Sequence, residues 1–302
     1  MTDSKKFTKT ALVTGASSGI GFELAKQLSE NGFKVFACAR RLGPMKELQE
    51  NHDVTIFKMD VADLESIANG ARFIESELSS YNNKLDLLYN NAGQSCTFPA
   101  LSVPDDALVS CISINFFGPV RVTKAFSKFV INAKGCIAFT GSIAGIAPFP
   151  WSSIYGSSKA AIHQYTNMLA LELEPFDVRV LNVITGGVKT NIADTRDLPK
   201  DSIYNIPEME TAMNFRRKMS DNANPMPAKI YCEKIIKEIL YGNKNTINVY
   251  EGTYSFLIPF IVRWLPRWVV LSFFRPKFLL DSVFDALRLK YKDKDLTKLK
   301  TL

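Results

Sequence analysis

Residues 10–32 read TALVTGASSGIGFELAKQLSENG, a short apolar run, a glycine-rich turn and an amphipathic segment that stops at Gly32. Ala11, Leu12 and Val13 suit a buried strand, and Phe22, Leu24 and Leu28 supply the apolar positions of a helix. Between them stand Thr14, Gly15, Gly19 and Gly21. Gly15 permits a tight turn, Gly19 lets backbone approach a ligand with no Cβ in the way, and Gly21 lets the helix lie close on the strand. The helix opens with free N–H groups that attract an anion. The stretch is therefore read as a dinucleotide diphosphate cradle built from Thr14, Gly15, Ser17, Ser18, Gly19, Ile20 and Gly21.

A competing reading starts from the same residues. Gly15-Ala16-Ser17-Ser18-Gly19 also fits G-x-S-x-G, the nucleophile elbow of α/β-hydrolases, which likewise occupies a strand-to-helix turn. Such an enzyme needs a histidine downstream of its serine, and the chain offers His163. Acylglycerol hydrolysis with Ser17 as nucleophile is carried as a second activity.

Beyond this unit, strands and helices alternate. Strands are expected at 34–39, 54–59, 85–89, 136–140 and 178–184, with a seventh at 246–250, and helices at 63–78, 105–129 and 154–173. That order predicts an α/β fold, a Rossmann-type doubly wound parallel sheet. A chain of 302 residues with 46% hydrophobic content can bury one large core. The five cysteines lack C-x-x-C spacing, which suits a reducing compartment, and two histidines are too few for a histidine metal site, so no metal is expected. The first residues contain no apolar leader, and no secretory signal is expected.

An NAD site would carry an acidic residue at the end of the second strand to bind the ribose hydroxyls. Here Ala39 is neutral and Arg40 and Arg41 follow, so a 2′-phosphate and hence NADPH/NADP is the expected cofactor. Asp60 and Val61, after the third strand, are placed to flank an adenine ring.

The fourth strand runs into Asn90-Asn91-Ala92-Gly93, Asn115 lies in the following helix, and Tyr155-x-x-x-Lys159 comes 13 residues after Ser142. Thr185-Gly186-Gly187-Val188-Lys189-Thr190 matches a P-G-x-V-x-T loop except at Thr185. With these motifs the chain resembles the short-chain dehydrogenase/reductase family over about residues 6–250. The resemblance implies Ser142, Tyr155, Lys159 and Asn115 as catalytic residues. It implies Asn91, Ala92, Gly93, Tyr155, Lys159, Gly186, Val188 and Thr190 as cofactor contacts, with Lys124, nine residues beyond Asn115, as a further one. Replacing the loop's proline by Thr185 removes a fixed φ and is expected to loosen it. The stretches ACARRLGPM, LDLLYNNAGQSCTFPAL, SKAAIHQY and VITGGVKTNIAD are similar to family members that reduce acylated ketone phosphates, which implies an acylated lipid-phosphate substrate.

The residues suit that chemistry. Hydride transfer to a ketone leaves negative charge on oxygen, so the site must supply a proton and stabilise an alkoxide. A free phenol titrates near pH ~10 and needs a neighbouring positive charge to ionise reversibly. Lys159, four residues beyond Tyr155, shares its helical face. Ser142 would donate a hydrogen bond to the carbonyl oxygen, and the resemblance implies a water relay at Asn115.

Substrate recognition is expected from residues 191–228, a polar, proline-containing stretch. Arg216-Arg217-Lys218 would meet an acidic head group, and Met209, Met213, Phe215 and Met219 would line an apolar path. The chain is divided into a catalytic domain at 1–250 and an extension at 251–302. Residues 254–274 are apolar but interrupted by Pro259, Arg263, Pro266 and Arg267, so they are expected to lie on a membrane rather than cross it, with Trp264 and Trp268 at the interface. Of the net charge of +7, residues 261–302 carry ten basic and four acidic side chains. Charge concentrated in a tail fits anionic lipid head groups, and no nucleic-acid partner is expected. The expected location is the cytosolic face of the endoplasmic reticulum membrane or a lipid droplet. A buried or oligomer-forming helix is the alternative, and homo-oligomerisation is left open. Two further readings are a reductase of steroid or retinoid ketones and a nucleotide-binding regulator without turnover.

Overall fold

Seven strands pair side by side in the order β3-β2-β1-β4-β5-β6-β7, every neighbouring pair parallel. They are β1 (Lys9–Thr14), β2 (Phe33–Ala39), β3 (Thr55–Lys58), β4 (Leu87–Asn90), β5 (Cys136–Thr140), β6 (Arg179–Thr185) and β7 (Asn248–Glu251). The computed structural model describes residues 7–294. Helices α1 (Gly19–Glu30), α2 (Lys46–His52), α3 (Leu64–Leu78), α4 (Asp105–Ile112), α5 (Gly118–Ala133) and α6 (Ser153–Leu173) precede β6, and α7 (Pro207–Asn222) and α8 (Ala228–Tyr241) precede β7. The chain closes with α9 (Leu257–Trp264), α10 (Arg267–Lys277) and α11 (Leu280–Tyr291).

The central strands are apolar on both faces because helices cover both. On one side Leu24 and Leu28 of α1 and Tyr231 and Ile235 of α8 pack against Val13, Ala37 and Leu181; on the other, Val122 and Phe126 of α5 and Ile162 and Leu169 of α6 pack against Leu12, Leu88 and Ile137. Strand order reverses between β1 and β4, and the crevice at their carboxyl ends is where such sheets bind ligands. Asp63 caps α3, its Oδ1 accepting from Glu65 N at 2.8 Å and Ser66 N at 3.3 Å. A single π turn, Ser113–Phe117, joins α4 to α5 and carries Asn115.

One region differs from the sequence-based expectation, and the structure adds detail to a second. Residues 191–228 are not simply a polar loop, because they contain α7, opened by Pro207 in its first turn. Met209 and Met213, expected along an apolar path, are instead fully buried against Val283 of α11. The apolar segment at 254–274 breaks at Pro266 into α9 and α10, and among the described residues no helix is long and apolar enough to cross a membrane. These helices pack on the catalytic half: Val270, Phe274, Phe278 and Leu280 form a core with Ala147, against which Phe149, Phe215 and Met219 rest. Part of the tail's charge is paired, Arg275 with Asp281 at 2.6 Å and Arg288 with Asp285 at 2.8 Å. Asp295, Lys298 and Lys300 lie outside the described residues.

Candidate active site

The glycine turn is set against the end of β4. Gly15 has a φ of +68°, and a Cβ there would stand 2.6 Å from Ala92 Cα, so a side chain would force the two strand ends apart. Asn91 fastens the same junction. Its Nδ2 donates to Thr14 O at 3.1 Å and Gly15 O at 3.2 Å, and its Oδ1 accepts from Thr140 Oγ1 at 3.1 Å, tying together the ends of β1, β4 and β5. Thr14 Oγ1 accepts from the backbone N–H of Asn91 and of Ala92, both at 3.1 Å. Thr14 and Gly21, expected as cofactor contacts, thus lie behind the cradle and shape it. Helix α1 begins at Gly19 without a side-chain cap from Ser18, leaving its first N–H groups free for an anion. A turn closed to any Cβ and an uncapped helix start beside it fit a dinucleotide diphosphate.

One cleft of about 560 Å³ gathers most of the expected residues. Gly15, Ser17, Ser18, Gly19 and Ile20 line one end, with Arg40 and Arg41 after β2 and Asp60 and Val61 after β3. Arg40 and Arg41 are exposed, and among the described residues neither pairs with a carboxylate, so both guanidinium groups are available to a phosphate. Asn91, Ala92, Gly93, Ser142, Tyr155 and Lys159 form the middle. Gly186, Val188 and Thr190 close over the turn, Thr190 lying so near Gly19 that a Cβ there would meet its Cγ2 at 3.2 Å.

Lys124 is not part of the site. Helix α5 turns Val122, Thr123 and Phe126 inward, which leaves Lys124 exposed and away from the cleft. Asn115 is buried beneath the cleft rather than lining it. Its Oδ1 accepts from Gln94 N at 2.9 Å, and its Nδ2 donates to Gln94 O and Ser158 Oγ, both at 3.0 Å. It therefore ties the loop after β4 to the residue next to Lys159.

Helix α6 places Tyr155 and Lys159 one turn apart, the ammonium 5.8 Å from the centre of the phenol ring. Lys159 is 4% exposed and donates to Thr140 O at 2.8 Å. Burial pulls its pKa down to about 8. Burial pushes the Tyr155 phenol up, while hydrogen bonding with Ser142 and the charge of Arg216 pull it back. Ser142 Oγ accepts from Ala144 N at 3.1 Å, which leaves its own proton to donate.

His163 has a different task from the one a hydrolase requires. Burial and then the charge of Lys159 pull its pKa down to about 4, and its Nε2 accepts the Ser142 N–H at 3.2 Å. The ring is wedged against Gly141 and Gly145. The imidazole named for the nucleophile-elbow reading is thus held beneath Ser142, and Ser17 lines the cradle.

The nicotinamide-side loop is not loosened by Thr185. Thr185 Oγ1 hydrogen-bonds Tyr231 Oη at 2.7 Å inside the core, Gly186 N donates to Glu251 O at 2.8 Å, and Gly187 and Thr253 exchange backbone bonds at 2.8 and 3.0 Å. Side-chain and sheet-edge bonds replace the stiffness of a proline. Asp194, which sequence reasoning did not single out, fastens the segment that follows: its Oδ2 accepts from Thr97 N at 2.8 Å and from Arg196 Nη2 at 2.8 Å. Burial pushes that carboxyl up, but the Arg196 guanidinium and the two N–H groups outweigh it and hold it below its usual range. The Asp194-x-Arg196 spacing was the available signal.

Beyond Tyr155 the lining changes character. Arg216, Arg217 and Met219 of α7 face the cleft, whereas Lys218 is exposed outside it; Phe149, Ile258, Ile261, Val270, Phe274 and Phe278 complete an apolar wall. The extension after residue 250 therefore builds the substrate end of the site, which no sequence motif announced.

A doubly wound sheet with a phosphate cradle at its switch point and a serine, tyrosine and lysine around one cleft defines a nucleotide-dependent oxidoreductase. Residues 9–200 match the family model described as short chain dehydrogenase, and the chain belongs to the short-chain dehydrogenase/reductase family. It is 48% identical to the NADPH-dependent 1-acyldihydroxyacetone phosphate reductase of Saccharomyces cerevisiae, over 95% of this chain and 97% of that one. A protein of the same name from Schizosaccharomyces pombe is 36% identical, over 75% of each chain. Among solved structures, a short-chain dehydrogenase from Streptomyces avermitilis superposes with a TM-score of 0.73 at 25% identity, covering 94% of this chain and 98% of that one.

Proposed function

We propose that the protein reduces the ketone of 1-acyldihydroxyacetone phosphate to give 1-acylglycerol 3-phosphate, with NADPH as the reductant. Arg40 and Arg41 would hold the 2′-phosphate of NADPH beside the glycine cradle, and the cofactor would supply the hydride. Tyr155 gives its proton to the ketone oxygen, and the Ser142 hydroxyl donates to the same oxygen as charge develops there. Lys159 keeps the resulting tyrosinate accessible by placing a positive charge beside it, and its anchor at Thr140 O holds the ammonium in place. Asn115 positions α6 through Ser158.

The observation that carries this reading is the continuity of one cleft from the dinucleotide cradle, past Tyr155, into an apolar section between α7 and the α9–α10 pair. A ketone at Tyr155 with a long acyl arm fills that shape, and the 48% identity over nearly the whole chain supports the same substrate. The test is NADPH oxidation by purified protein offered 1-acyldihydroxyacetone phosphate beside steroid and retinoid ketones. Preference for the acyl ketone phosphate is expected; a higher kcat/KM for a steroid or retinoid would replace this reading with the alternative.

We further infer that residues 1–250 carry the chemistry and that the extension attaches them to the cytosolic face of the endoplasmic reticulum or to a lipid droplet, where an acylated substrate resides. Support comes from the two-sided character of α9 and α10. Their inner residues wall the cleft, while Phe256, Phe260, Trp264 and Trp268 are more than half exposed, and Arg263 and Arg267, between them in the sequence, are exposed. Aromatic rings flanked by arginines suit the interfacial zone of a membrane with anionic lipids. Because truncation after Tyr250 would also remove the cleft wall, point substitution separates the roles. Trp264→Ser with Trp268→Ser should abolish flotation with liposomes or artificial droplets while NADPH binding persists. Undiminished flotation would reject the outer face as the attachment surface.

A further inference from the structure

Beyond Tyr155 the cleft is lined by unlike groups, and Phe149 meets both kinds. Its ring stacks on Phe274 at 5.7 Å and meets Phe278 edge-on at 6.0 Å, and the Arg216 guanidinium lies 5.9 Å from its centre. Arg216 Nη2 donates to Ser152 Oγ at 2.7 Å and Nε approaches Pro150 O at 3.4 Å. Ser152 and Tyr155 are three residues apart at the start of α6, so a guanidinium fixed on Ser152 is fixed relative to the phenol. Among the described residues no carboxylate pairs with Arg216. Its neighbour Arg217 also lines the cleft but is already engaged, donating to Arg196 O and lying 3.9 Å from Asp197.

A guanidinium offers five N–H donors, and Arg216 uses two of them on protein. Burial pulls its pKa down to about 10, which still leaves it charged at neutral pH. A partly buried guanidinium in a cleft wall, with no carboxylate partner among the described residues, is a place where an anionic ligand is favoured. The ketone of the reading above has two unlike arms, one ending in phosphate after a single methylene and ester oxygen, the other continuing into the acyl chain. A short arm to an anion needs a cation close to Tyr155, and a long apolar arm needs the α9–α10 wall.

We propose that Arg216 binds the substrate's phosphate beside Tyr155 and thereby directs the acyl arm into the apolar section walled by Phe274 and Phe278. The inference rests on the acyl-ketone reductase reading and adds the residue that makes the site selective for an anion. Arg216 is a binding residue in this scheme, with its planar fork matched to two phosphate oxygens.

The experiment compares steady-state reduction of 1-acyldihydroxyacetone phosphate with reduction of the same ketone lacking phosphate, in full-length wild type and in Arg216→Met, Arg216→Lys, Ser152→Ala and Lys277→Met. Wild type should favour the phosphorylated ketone. Arg216→Met should lower kcat/KM for it about a hundredfold, chiefly through KM, and collapse the phosphorylated-to-dephosphorylated ratio toward one. Arg216→Lys should restore part of the ratio, since charge returns without the fork, and Ser152→Ala, which frees the guanidinium from its anchor, should lower the ratio by less than Arg216→Met. An unchanged ratio in Arg216→Met overturns the proposal. So does a collapse confined to Lys277→Met, since Lys277 is another cation in the cleft lining. NADPH fluorescence titration shows whether each variant is folded; should Arg216→Met fail to bind NADPH, the ratio in Arg216→Lys decides. A wild type that reduces neither ketone defeats the reductase reading itself, whereas a wild type that reduces both equally defeats only the role of Arg216.

Discussion

At the cofactor end of the cleft the walls are strand ends and tight turns joined by buried hydrogen bonds, whereas at the substrate end they are helices joined by apolar side chains. Asn91 alone connects three strands through donors and acceptors at 3.1 to 3.2 Å, and the loop at Gly186 and Gly187 is sewn to the far strand by backbone bonds. Phe149, Phe215, Phe274 and Phe278 instead meet ring against ring at 5.7 to 6.3 Å, drawn from the loop after β5, from α7, and from α10 with the turn after it. Hydrogen bonds demand particular atoms at particular places, and apolar contact demands only shape and volume. One end therefore keeps a constant geometry for the reaction, while the other can be reshaped for a different ketone without disturbing it.

That contrast can be broken most sharply in the middle, where the two ends meet. Tyr155→Phe should reduce ketone turnover by about 10²- to 10⁴-fold while NADPH affinity stays within a few-fold, because only the transferable proton is lost. Fluorescence titration beside single-turnover reduction measures both; Ser142→Ala should cost less, since it removes one hydrogen bond. Near-normal turnover by Tyr155→Phe would place the proton donor elsewhere.

The next test acts on one end alone. Phe274→Ala opens a cavity in the apolar wall, a change that costs about 3–5 kcal/mol in a well-packed core. If the ends are independent, KM for a long-chain acyl ketone rises and the substrate end loosens toward proteolysis, with NADPH affinity unaltered. Parallel loss of NADPH binding would show the ends to be one cooperative unit.

The converse change is made where the cofactor end faces solvent. Ala39→Asp with Arg40→Gln should shift the NADPH-to-NADH preference by about ten- to a hundredfold, because the 2′-phosphate loses a charged partner and meets a negative one. KM for the ketone should not move. If NADPH binds the double variant as tightly as wild type, the phosphate lies away from β2.

The smallest effect concerns proton supply. A lysine whose pKa is pulled down to about 8 is charged below that pH and neutral above it, so its support for the Tyr155 anion is present below pH 8 and lost as pH rises through it. The kcat/KM for reduction with NADPH varied, which reports the free enzyme, should fall about tenfold per pH unit on that limb. A profile that stays level until an ordinary lysine would titrate would mean Lys159 is less desolvated than its burial implies.

Strand and helix alternation, the glycine turn and the Tyr155–Lys159 spacing were legible in the sequence because each is a local pattern within a strand, a turn or one face of a helix, and Ser142 joined them through the family resemblance. Local geometry then converts spacing directly into position, as it does for Tyr155 and Lys159 one turn apart on α6. Only the tertiary structure decided that Lys124 faces solvent, that His163 serves Ser142 rather than Ser17, and that Tyr231 takes over the stiffening role of a missing proline. It alone brought Arg216 of α7 beside Tyr155 and folded α9 and α10 back as the wall of the cleft. Those juxtapositions join segments far apart in the chain through burial and ring packing. Such forces carry no residue spacing, so their outcome exists only once the whole chain has closed around the sheet.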